Sequence, residues 1–178
     1  MSGHSKWSKV KHIKAVVDVK KGKVFSKISR MIIVAVKERG KDPETNIQLR
    51  AAIEKARQLN MPKDNIERAI KRGAGETGGE KLEEFSYEAY DSQGIALIIE
   101  GISDNKNRTL SEIKNILGKH EGKLAQVGSV KYLFEKKNGD WVAKYPVQTD
   151  GKTKERLDKL FEVLDENDDV NEIYSNLK

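Results

Sequence analysis

Between Lys6 and Arg30 the chain carries nine basic side chains, Lys6, Lys9, Lys11, Lys14, Lys20, Lys21, Lys23, Lys27 and Arg30, against one acid, Asp18. Ammonium groups strung along one segment can follow a phosphate backbone, and binding is driven by release of the polyanion's condensed counterions. Trp7 stands among Lys6, Lys9 and Lys11 and offers a face on which an unpaired base can stack. His12 falls in the same run. Further on, Arg50, Arg68, Lys71 and Arg72 add cations to segments with helical periodicity. These residues are the candidate nucleic-acid surface.

The charge of the whole chain is unevenly placed. Residues 1–75 hold 19 basic and 7 acidic side chains, a net of +12, while residues 76–178 hold 15 and 21, a net of −6. Such asymmetry points to a polyanionic partner for the first part. With no cysteine, neither a disulfide framework nor a thiolate metal site can form. No apolar run approaches the roughly 20 residues of a membrane span, and MSGHSKW lacks the apolar stretch of a secretory signal. The expectation is a cytoplasmic protein with no membrane partner.

Little else in the chain suggests chemistry. His4, His12 and His120 lack metal-ligand spacing. Asp165, Asn167 and Asp169 begin like a calcium loop, but Val170 stands where the glycine is needed and Asn176 where the bidentate glutamate is needed. Gly73–Gly79 resembles a phosphate loop, yet it trails a helix and no Lys-Ser/Thr follows, so it reads as a linker. The expectation is therefore a binding protein, not an enzyme, with no cofactor and no small-molecule substrate.

These side chains need elements to carry them. Trp7, Val10, Ile13 and Val17 fit a short amphipathic helix that Gly22 interrupts. A second helix carries Val24, Phe25, Ile28, Ile32, Ala35 and Val36 and stops at Gly40. Asp42-Pro43 predicts an N-cap for a third, burying Leu49, Ile53, Ala56 and Leu59. Pro62 opens a fourth, with Ile66, Ala69 and Ile70 inward.

Beyond the linker the period becomes two. Phe85, Tyr87 and Ala89 predict a half-buried strand, and Ile95–Ile99 a strand covered on both faces. Thr109 and Glu112 predict a capping box ahead of a helix. Val130, Tyr132 and Phe134 predict a strand that Asn138-Gly139 turns into its partner, Trp141 to Val147. Leu157, Leu160, Phe161 and Leu164 line a helix, and Val170, Ile173 and Tyr174 fit a closing strand. The fold class expected is α+β: a basic helical bundle over residues 1–75, then a ferredoxin-like α/β sandwich over residues 76–178.

Five stretches, MSGHSKW, KHIKAVVDVKKGKVFSKISR, LRAAIEKARQLNMPKDNIERAIKRG, SDNKNRT and GSVKYLF, together with the closing DENDDVNEIYSN, resemble the YebC/PmpR family. Bacterial members are labelled transcriptional regulators, and mitochondrial relatives act as translational activators. The resemblance implies nucleic-acid binding in gene expression. One version is a DNA-binding transcriptional regulator; the other is a ribosome-associated factor that binds ribosomal RNA or tRNA and eases elongation at difficult sequences such as proline runs. Members of that family usually carry a third domain inserted after the GSVKYLF strand. Here only Lys136–Asp140 occupy that place, so the insertion reads as absent.

Overall fold

The structure, a computed structural model, describes residues 6–7, 18–79 and 81–178, with side chains from residue 21 onward. Two compact units emerge, one ending at Glu84 and the other joining strand β1 (Lys6–Trp7) to Phe85–Lys178. The compact units meet at Glu84/Phe85. Trp7 is strand and not helix, because β1 pairs antiparallel with a strand near the other end of the chain, Lys6 opposite Tyr174 and Trp7 opposite Ile173. The remainder of the predicted first helix, Val10, Ile13 and Val17, lies outside the described residues.

The first unit contains helices α1 (Asp18–Arg39), α2 (Ile47–Gln58) and α3 (Lys63–Gly73). Gly22 does not interrupt α1. A helical glycine costs only about 1 kcal/mol relative to alanine, and the burial of the rest of α1 outweighs that. Ile32–Val36 are all buried, more than a full turn, because α2 and α3 both pack on this helix. The predicted cap at Asp42 is displaced to Asn46. Its Oδ1 accepts from the Leu49 N–H at 3.0 Å, and its Nδ2 donates to the carbonyls of Ala35 and Gly40, both at 2.8 Å. One buried amide thus satisfies carbonyls near the end of α1 and an orphan N–H at the start of α2.

The first residues of the predicted linker complete α3. Gly75 has φ +78°; its N–H bonds the Arg72 carbonyl and the Glu76 N–H bonds the Lys71 carbonyl. That pair of bonds is a Schellman cap, which requires the left-handed residue that glycine supplies. Gly73 serves packing. A Cβ there would lie 2.7 Å from the Val36 Cβ and 2.8 Å from the Ile33 carbonyl oxygen. Gly73→Ala should therefore destabilise this unit by about 1–3 kcal/mol despite the better helix propensity of alanine. A urea midpoint that rises in the variant would contradict the close packing of α3 on α1.

The second unit is an antiparallel sheet of order β1-β7-β3-β2-β4, built from β2 (Glu83–Asp91), β3 (Ala96–Ser103), β4 (Gly122–Leu124) and β7 (Val170–Ser175) beside β1. Helices α4 (Lys106–Lys119) and α5 (Gly151–Glu166) cover one face, and the hairpin β5 (Phe134–Lys137) with β6 (Asp140–Ala143) covers the other. The apolar run 95–99 serves both sides as expected. Ile95, Leu97 and Ile99 pack under the helices, while Ala96 and Ile98 meet Val130, Phe134 and Ala143 of the hairpin side.

The α+β class holds, with a helical unit followed by a sheet unit, but strand membership differs from the ferredoxin-like pattern. The hairpin strands form a sheet of their own, and β3 lies between β7 and β2, with β4 at the edge beyond β2. Asn138 and Gly139 have φ +52° and +90°, and Lys137 pairs with Asp140, so the two-residue turn joins β5 to β6 directly. β6 ends at Ala143; Val147 bridges to Leu177 instead of extending it. The cap of α4 is Asn105, not Thr109, which is fully buried within the helix. Among the described residues no helix is long and apolar enough to cross a membrane.

Candidate nucleic-acid interface

The candidate cations are placed unequally. Lys9, Lys11, His12 and Lys14 lie outside the described residues; Lys6 and Trp7 are located as backbone in β1, and Lys20 as backbone in α1. On α1, Lys21 and Lys23 are exposed and Arg30 is half-buried, but Lys27 is only 7% exposed. Lys27 is thus no surface contact. It lies two helical turns before the buried Val34, on a side of α1 that turns inward, and a lysine stem can lie along apolar surface.

On α2 and α3 the exposed cations include Arg50, Arg57, Lys63, Arg68, Lys71 and Arg72. Lys71 and Arg72 follow Arg68 by three and four residues, so both lie on its flank of α3. Arg50 has a further task, since its Nε donates to the Pro43 carbonyl at 3.0 Å and its Nη2 to the Glu44 carbonyl at 2.8 Å. That grip holds the turn ahead of α2. Among the described residues, the helical unit thus displays exposed cations on α2 and α3.

In the second unit the charged residues hold the fold together. SDNKNRT forms the junction between β3 and α4. There Arg108 Nη2 donates to Asp104 at 2.7 Å and to the buried Asp169 at 2.8 Å, and the Thr109 hydroxyl donates to the same Asp169 carboxylate. The Ser103 hydroxyl lies 2.6 Å from that of Thr109. Two stretches far apart in sequence are thereby locked together. Bonds to Asp169 first, then to Asp104, hold the Arg108 guanidinium above its ordinary value. Asp169, in the acidic closing stretch, is therefore a buried structural group. Arg156 of α5 likewise reaches the buried Asp91 carboxylate at 2.7 Å and also contacts Glu121.

The third anchor organises the region that sequence periodicity misassigns. Glu88 on β2 is buried, and its carboxylate accepts from the N–H groups of Gly128 (2.6 Å), Val130 (2.6 Å) and Lys131 (2.8 Å). Burial alone would raise its pKa, but those three N–H donors outweigh it, with help from the Lys131 charge, and the net shift is downward. Because the carboxylate takes these N–H groups, residues 130–133 cannot run as an extended ladder, and Lys131–Leu133 is a 3₁₀ turn. Tyr132, expected on the buried side of a strand, is turned out to 62% exposure. The nearby Tyr90 phenol donates to the Ser129 carbonyl at 2.7 Å; burial first, then the neighbouring Tyr132, push the Tyr90 phenol up. Trp141 of β6 donates to Glu100 at 2.8 Å, with Lys136 4.9 Å and Lys131 5.7 Å from its ring.

A basic helical unit and an α+β sheet unit, the latter locked internally between SDNKNRT and the closing acidic stretch, define a class of two-unit proteins, and comparison with known proteins identifies it. Residues 5–76 match the model for the TACO1/YebC protein N-terminal domain, and residues 82–139 that for the TACO1/YebC second and third domain. A "probable transcriptional regulatory protein" of Dictyoglomus turgidum is 53% identical over 148 residues, 83% of this chain and 59% of that protein. One of the same description from Fervidobacterium nodosum is 56% identical over 137 residues, 77% of this chain and 54% of that protein. The crystal structure of a conserved hypothetical protein from Aquifex aeolicus superposes with a TM-score of 0.85 at 34% identity, covering 97% of this chain and 96% of that one. The chain belongs to the TACO1/YebC family. It spans little more than half the length of those curated relatives.

Proposed function

We propose that this chain is a nucleic-acid-binding regulator of gene expression, acting in the cytoplasm by binding and not by catalysis. The observation that carries this reading is the segregation of charge, +12 over residues 1–75 against −6 over the rest. The exposed cations of α2 and α3 stand on the positive part. The relatives' description as transcriptional regulatory proteins supports DNA as the target. A second reading, a ribosome-associated factor on ribosomal RNA or tRNA, is favoured by the exposed tyrosines Tyr132 and Tyr145, since unpaired bases are available in RNA loops. Crosslinking in cells followed by sequencing separates the two, reporting promoter DNA for the first and ribosomal RNA for the second.

Salt dependence tests binding itself. With about six phosphate contacts, log affinity should fall against log salt with a slope of roughly −4 on single strands and −5 on duplex. Changing Arg57, Arg68 and Lys71 together to Gln, or Lys9, Lys11 and Lys14 together, should flatten the slope by about 2–3 units wherever those residues touch phosphates. Unchanged slopes in both triple variants would remove the helical unit from the binding surface.

A further inference from the structure

We propose that the Tyr132–Tyr145 face beside the β5–β6 hairpin is a stacking subsite for unpaired bases, in the unit whose overall charge is negative. The proposal rests on the nucleic-acid reading above and adds a second contact of a different kind. Of the six large apolar side chains exposed among the described residues, four fall within residues 127–147: Val127, Tyr132, Tyr145 and Val147. The backbone brings the two tyrosines together. Phe134 pairs with Ala143, the Lys144 N–H donates to the Leu133 carbonyl at 2.9 Å and its Nζ to the Tyr132 carbonyl at 3.0 Å, which sets the backbone of residues 132–133 beside Lys144, the residue before Tyr145.

The platform is held in place before any ligand arrives. Glu88 grips the backbone N–H groups of Val130 and Lys131, and Lys144 Nζ donates to the Tyr132 carbonyl at 3.0 Å. A backbone already fixed loses little entropy on binding. Exposures of 62% and 68% leave Tyr132 and Tyr145 open on aromatic faces that any base can cover. Charge favours the same occupant. Residues 131–144 carry Lys131, Lys136, Lys137 and Lys144 against Glu135 and Asp140, with Lys137 bridged to Glu135 at 2.6 Å. Lys131 and Lys144, next in the chain to Tyr132 and Tyr145, match a strand that presents phosphates beside unstacked bases, and a duplex hides those bases.

Titrations of the full chain with a short labelled oligouridylate and with a labelled mixed-sequence duplex test this. Tyr132→Ala with Tyr145→Ala should weaken single-strand binding roughly 10- to 100-fold while duplex affinity stays within about 2-fold. The double Phe variant should bind like the parent, because it keeps the rings. Tyr145→Ala alone, at the more exposed of the two, should show the same single-strand selectivity with an unchanged melting temperature, which separates lost stacking from lost folding. Equal loss on both ligands, or none on either, overturns the subsite. A parent that binds both ligands with a steep salt slope and is indifferent to the tyrosines sinks this inference alone; a parent that binds neither sinks the nucleic-acid reading with it.

Discussion

Replacing Gly101 with alanine is expected to cost about 4 kcal/mol or more, enough to unfold the sheet unit of a marginally stable chain. The new Cβ would lie 1.9 Å from the Asp169 carbonyl oxygen and 2.6 Å from the Phe85 ring. Neither neighbour is free to yield. The Asp169 carbonyl accepts from the Ile102 N–H at 2.9 Å, its carboxylate holds Arg108 and Thr109, and Phe85 is buried and stacked on Tyr87. The glycine sits where the β3–β7 register shifts, between Glu100 and Gly101, and the irregularity lets the two backbones approach this closely. Urea unfolding followed by the fluorescence of Trp141, which lies in this unit, would measure the effect. A variant with the parent's midpoint would mean the β3–β7 contact is looser than described.

Glu88→Gln should cost about 2–4 kcal/mol, because the charge that three N–H donors face is removed and an amide N–H₂ is turned toward one of them. The effect depends on pH in a defined direction. The folded carboxyl titrates below its ordinary value of 4.5, so its contribution is complete above that value and is lost as pH falls through the lowered folded value. The stability gap between parent and Gln variant should therefore be constant near neutrality and narrow in acid below about pH 4.5. A gap that widens on acidification would reverse the sign and discard the role given to the three N–H donors. Freed of the carboxylate, residues 126–133 should also become more open to proteolysis, taking the Tyr132 platform with them.

Where local chemistry decides, single stretches were sufficient. Asn138-Gly139 turns the chain in two residues because both need positive φ, and no partner elsewhere is required for that. The run 95–99 is apolar at every position because both faces of β3 are covered, and the structure sorts alternate residues to the two sides. On the inward faces of α2 and α5, Leu49, Ile53 and Ala56, then Leu157, Leu160, Phe161 and Leu164, are buried as their spacing demands, while Leu59, the last of the expected α2 set, is half-buried at the helix cap. The candidate cations were legible as composition but less so as a surface: Lys27 is buried and Arg50 is turned onto two carbonyls.

By itself the sequence determined the α+β class, the turn chemistry, the amphipathic faces and the placement of positive charge on the first part of the chain, since each depends on residues within a few positions of one another. Tertiary structure alone decided which strands share a sheet and which polar groups are buried. β4 is three residues long and gains its identity only by pairing with β2. β1 is two residues whose extended form comes from β7, far along the chain, so helical periodicity around Trp7 could not reveal it. Asn46 outcompetes Asp42 as a cap because the end of α1 supplies two carbonyls to its amide. Tyr132 faces outward because Glu88, on another strand, takes the N–H groups that a β ladder would have used. In each of these cases the deciding hydrogen-bond partner or strand neighbour lies beyond the reach of local periodicity, and only the folded chain brings it into place.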